Sequence, residues 1–88
     1  MASPVCDPIV LEIVTNIIRQ LEPKSLRSDR RVLSCIEVSV RLALAYPKGF
    51  PIRPTRVRHA YRLTPEEWQS ILKAMGKVGT FTTYFKLG

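Results

Sequence analysis

Apolar residues recur at helical spacing through the start of the chain. Ile9, Val10, Ile13, Val14, Ile17, Ile18 and Leu21 share one side, and Glu12, Thr15, Asn16 and Arg19 share the other. With Asp7 as N-cap, Pro8 at the first helical position and Pro23 as a stop, the pattern predicts a helix over 8–22. A short connection over 24–28 follows. Ser28-Asp29 then opens a second helix, predicted over 29–46, which Pro47 and Gly49 end. Its polar side chains Arg30, Ser34, Glu37 and Arg41 form one narrow stripe, with Glu37 and Arg41 in the favourable i,i+4 order. A helix with so thin a wet stripe belongs at the centre of a domain or beneath a second subunit.

A second period competes over 36–46. Ile36, Val38, Val40, Leu42, Leu44 and Tyr46 alternate with Glu37, Ser39, Arg41, Ala43 and Ala45, as in a half-buried strand. The helix is preferred, because a strand beginning at Ile36 leaves 23–35 as a long structureless connection. Pro47, Gly49, Pro51 and Pro54 mark an ordered loop or polyproline-like spacer. Residues 55–63 fit either a strand with Arg56, Arg58 and Arg62 on one side, or a short helix capped by Thr55. In the helix, Arg58 stacks on Arg62 beside a Val57–Tyr61 pair. Thr64-Pro65-Glu66-Glu67 is a capping box, Trp68, Ile71, Leu72 and Met75 follow on one face, and Gly76 suits the stop. Beyond Gly79, apolar and polar residues alternate as in an edge or inter-subunit strand. The expected fold is mainly α, a small helical domain of three to four helices with a short extended C-terminal tail. The alternative is α+β with a basic β-hairpin at 36–63.

The 88 residues allow one domain, read as a loose leader over 1–6, a basic Pro/Arg-rich segment over 47–63 and an extended tail over 79–88. For so short a chain 45% apolar residues is rich, and wide apolar helix faces predict a homodimer. Asp7 and Glu12 interrupt the first apolar run, no basic region precedes it, and no stretch is long enough to span a bilayer. The expectation is a soluble, intracellular protein. Cys6 and Cys35 have neither metal-like nor redox-like spacing and read as free thiols.

Charge changes the picture most. Five of the excess positive charges behind the net +7 fall within 47–63, on Lys48, Arg53, Arg56, Arg58 and Arg62, with no acid among them. Such a concentrated field attracts polyanions. Arginine dominates, and guanidinium groups fork phosphate oxygens and stack on bases. Tyr61 and Phe50 offer stacking faces, and Arg27, Arg30 and Arg31 add charge around the start of the second helix. Five phosphate contacts would give a log–log salt slope of about −4.5 on duplex DNA and about −3.5 on single strands.

Catalysis is not expected. The one histidine, His59, stands among arginines, and no nucleophile-elbow, phosphate-loop, dinucleotide or zinc spacing occurs. Glu66 and Glu67 are explained by the capping box. No cofactor or metal is called for. Segments 55–62 and 65–75 resemble a helix-turn-helix only loosely. The second helix, which would enter the major groove, carries Lys73 and two glutamates, so sequence reading by it is rejected.

The leading expectation is a small, basic, self-associated nucleic-acid-binding protein. It would grip the RNA or DNA backbone through Arg53, Arg56, Arg58 and Arg62, aided by Lys48, Arg30, Arg31 and Tyr61, with little sequence specificity, in the style of a viral accessory protein. The alternative is a protein-interaction module docking on an acidic or apolar partner surface, with the tail adding a strand.

Overall fold

A computed structural model describes residues 8–46 and 54–78. Within them the chain forms four α-helices and one 3-10 turn, without a strand. Helix α1 spans Pro8–Gln20, α2 Arg30–Ala45, α3 Pro54–Ala60 and α4 Pro65–Val78, and the 3-10 turn covers Lys24–Ser28. The leader, the Asp7 cap, the proline-rich spacer up to Arg53 and the extended tail lie outside the described residues.

The apolar period of α1 is satisfied from two sides, since α1 packs against both α4 and α2. Val10, Ile17 and Leu21 point into the core, and Ile17 and Leu21 are fully buried. The helix ends two residues earlier than expected: the Leu21 amide reaches back to the Ile18 carbonyl at 3.1 Å, tightening the last turn ahead of Pro23. The connection is more ordered than a plain loop, because the 3-10 turn drops Leu26 into the core. Arg27 fastens it to the end of α1, donating to the Arg19 carbonyl at 2.7 Å and the Leu21 carbonyl at 3.3 Å.

Asp29 sets the start of α2. Its Oδ1 accepts from the amides of Arg31 at 2.9 Å and Val32 at 3.4 Å, filling the first open donors of the helix. Val32, Cys35, Ile36, Ser39 and Val40 face inward, and α2 contacts α1, α4 and the 3-10 turn, the central place its thin polar stripe implied. Helix through Ala45 and again over Pro54–Ala60 overturns the β-hairpin alternative at 36–63. The alternation over 36–46 is real in the sequence, but no described strand is present to pair with it.

In α4 the capping box forms as read: the Glu67 amide donates to Thr64 Oγ1 at 3.1 Å, and the Thr64 amide to Glu67 Oε1 at 2.8 Å. Trp68, Ile71, Ala74 and Met75 are buried. Gly76 does not stop the helix, which runs on to Val78. Cys35 is a buried free thiol whose pKa burial pushes up to about 11, partly offset by a hydrogen bond with Ser39; Cys6 lies outside the described residues. No described helix is long and apolar enough to cross a membrane.

Candidate nucleic-acid interface

The basic segment enters the described fold at α3. Seven residues make this helix too short to stand alone, and its inner side, Val57 with Tyr61 just beyond the last turn, leans on the core. Burial, reinforced by Cys35 and Glu37, raises the pKa of the Tyr61 phenol. A half-buried Tyr61 serves as a core support more than as a stacking platform. The helix begins at Pro54, so Thr55 sits in its first turn and is not the cap expected for it.

How α3 ends decides what the arginines do. The Leu63 amide returns to the Arg58 carbonyl at 3.1 Å, and the Arg62 amide to the His59 carbonyl at 3.1 Å. This pair of bonds is a Schellman closure, with Arg62 at the left-handed position that glycine usually fills. Arg62 has φ 56°. Leu63, the next residue, is buried in the core cluster, and Val57 packs partly buried against that cluster, the apolar anchoring such closures use. Because Arg62 leaves the helical path, the predicted Arg58–Arg62 stack does not form. Arg58 instead turns inward: one guanidinium nitrogen donates to the Leu63 carbonyl at 3.2 Å, and the other lies 2.9 Å from His59 Nε2, which accepts.

Arg31 is spent inside the molecule as well. It donates to the Arg62 carbonyl at 2.8 Å and forms ion pairs at 2.9 Å with both Asp29 and Glu67. Each acidic partner also caps a helix, Asp29 for α2 and Glu67 for α4. One guanidinium therefore joins two helix starts to the turn between α3 and α4. The hydrogen bond from Arg31 holds the Asp29 carboxyl below its ordinary pKa against desolvation, with backbone N–H groups helping, and the same two carboxylates raise the pKa of Arg31.

Of the predicted site residues, Arg56 and Arg62 are exposed, with no side-chain hydrogen bond or ion pair among the described residues. Arg58 and Arg31 shape the turn and are removed from the set of free cations. Arg30, adjacent to Arg31 in sequence, diverges by about 100° around α2 and lines a groove against α1 instead. Lys48 and Arg53 lie outside the described residues. The start of α4 offers no phosphate seat, because Glu66 and Glu67 already occupy its first turn. Among the described residues no cluster of His, Cys, Asp and Glu is arranged to hold a metal ion.

Asp29, two residues before Arg31, was a local signal that its guanidinium had a partner. Glu67, 36 residues away, left no trace in the spacing. No protein-family model, curated protein or solved structure matches the chain.

Proposed function

We propose that the protein binds RNA or DNA through the phosphate backbone, using Arg56 and Arg62 together with Lys48 and Arg53 of the adjoining segment, without reading sequence. The observation that carries this is Arg62, a long cationic side chain at a left-handed position where glycine or asparagine is the easier choice. Local strain of this kind is retained where the side chain is needed. Arg31 and Arg58 brace the backbone around it, and neither Arg56 nor Arg62 meets a carboxylate among the described residues. Self-association belongs to the same proposal, since a pair of chains doubles the cationic footprint. Sedimentation at two protein concentrations tests that part separately.

The test of the site is fluorescence anisotropy with a labelled oligonucleotide, comparing two variants of equal net charge. Arg56→Gln/Arg62→Gln removes the free pair. Arg19→Gln/Lys77→Gln removes two exposed cations from α1 and α4. The first variant is expected to lose most of the binding and the second to keep most of it. Equal losses would reduce the effect to bulk charge, and negligible binding by the wild type at low salt would end the proposal.

A further inference from the structure

Arg58 is held back from solvent by a contact that only one charge state of its neighbour allows. One of its nitrogens donates to the Leu63 carbonyl at 3.2 Å, and another lies 2.9 Å from His59 Nε2. A guanidinium is a donor only and stays charged, so Nε2 must offer its lone pair, with the imidazole neutral and its proton on Nδ1. A protonated imidazole carries N–H on both nitrogens. The contact would then bring two donors and two positive charges together, and it must open.

The surroundings add to that repulsion. Among the described residues no carboxylate lies within ion-pair distance of His59. Arg56 stands three residues earlier on α3, exposed like His59 and its neighbour on the helix surface, and Arg62 follows in the turn. From α2, Arg31 reaches the Arg62 carbonyl but is matched by Asp29 and by Glu67 of α4, whose first turn also holds Glu66. Glu37 and Cys35 of α2 bear on Tyr61, on the inner side. The turn itself is closed by backbone groups, the Arg62 amide on the His59 carbonyl and the Leu63 amide on the Arg58 carbonyl, so it does not depend on the imidazole.

We propose that His59 is a proton-operated latch on the phosphate site. On taking up a proton it releases one side of Arg58, and α3 then meets phosphate with Arg58 and the imidazolium of His59 as well as with Arg56 and Arg62. The latch rests on the polyanion reading of Arg56 and Arg62. Phosphate favours the protonated form, so affinity rises as pH falls through the range in which imidazoles titrate, about pH 5 to 8. His59 is the one histidine in the chain, so no second imidazole shares that window.

Oligonucleotide anisotropy against salt, at pH 5.5 and at pH 8, tests the latch on the full chain. Two added contacts predict a duplex log–log slope steeper by about 1.8 at the lower pH. His59→Gln, whose amide oxygen can still accept from Arg58, should show one slope at both pH values. His59→Ala removes the acceptor at an exposed helical position. At pH 8 it should bind more tightly than wild type, with a slope steeper by about 0.9, because Arg58 is then loose without any proton. An imidazole that only adds its own charge would leave His59→Ala no tighter than wild type at pH 8, and that result overturns the latch. Wild-type binding that is present but equal at the two pH values overturns it too, as do nitrogen-15 spectra at pH 8 that place the imidazole proton on Nε2. Absence of binding at both pH values in low salt would instead remove the proposal for Arg56 and Arg62, and the latch with it.

Discussion

Three arginines around the α3–α4 turn divide between two jobs, and the backbone decides which. Arg62 sits at φ 56°, where an L-residue with a side chain is strained by roughly 1–2 kcal/mol relative to glycine. Arg62→Gly is therefore expected to leave urea stability unchanged or raise it by about 0.5–1 kcal/mol, after the entropy cost of glycine, while weakening oligonucleotide binding. A parallel loss of stability and binding would mean that the arginine is there for structure. Arg31 and Arg58 illustrate the opposite use, in which the fork of a guanidinium holds carbonyls and carboxylates. The Asp29–Arg31 pair also leaves a mark on pH dependence. Because the folded pKa of Asp29 is lowered below 3.8, its contribution is present above that value and fades as pH falls through the depressed one. Asp29→Asn keeps a competent cap without the charge, so melting curves of wild type and variant should differ at pH 5 and converge toward pH 2. A gap that persists undiminished at pH 2 would assign the effect to something other than this carboxylate.

At the scale of elements, what could be read in advance was what is decided locally. The capping box over Thr64 to Glu67 and the Asp29 cap are complete within four residues, and both appear in the structure as hydrogen bonds. The segment 36–46 was different, because its residues satisfy a period of two and a period of 3.6 alike. Connection length favoured the helix, and packing against α1, α4 and the 3-10 turn, which is not local, supports it. Gly76 misled for a related reason: glycine is a stop signal only if its backbone turns left-handed, and here it continues the helix to Val78. A Cβ added at Gly76 meets nothing within 4 Å. Gly76→Ala should thus raise stability by about 0.5–1 kcal/mol in urea denaturation, through a less mobile unfolded chain and a better helix former. A destabilised variant would contradict the helical placement of this residue.

Over the whole molecule, the charge concentration was plain in the sequence, but its division between free and occupied arginines was not. Arg31 meets Glu67 across 36 residues, and Arg30 departs from it by one helical step into a groove whose apolar wall belongs to another helix. The stripe Arg30–Ser34–Glu37–Arg41 was visible as a pattern, yet nothing in the pattern revealed what would face it. The exposed aliphatics are similarly divided. Ile9 and Leu11 stand about 160° apart on α1, and Val38 and Leu44 about 120° apart on α2, so neither helix gathers these exposed aliphatics on one side. Of the five cations over 47–63, Arg58 is occupied within the fold, and the contacts proposed for phosphate are the other four in the sequence: Lys48, Arg53, Arg56 and Arg62. The most direct measurement is the salt dependence of oligonucleotide affinity. Four contacts predict a log–log slope of about −3.6 on duplex DNA, or about −2.8 on a single strand, and Arg56→Gln/Arg62→Gln should halve it. A slope near zero, or one that this substitution leaves unchanged, would contradict the account.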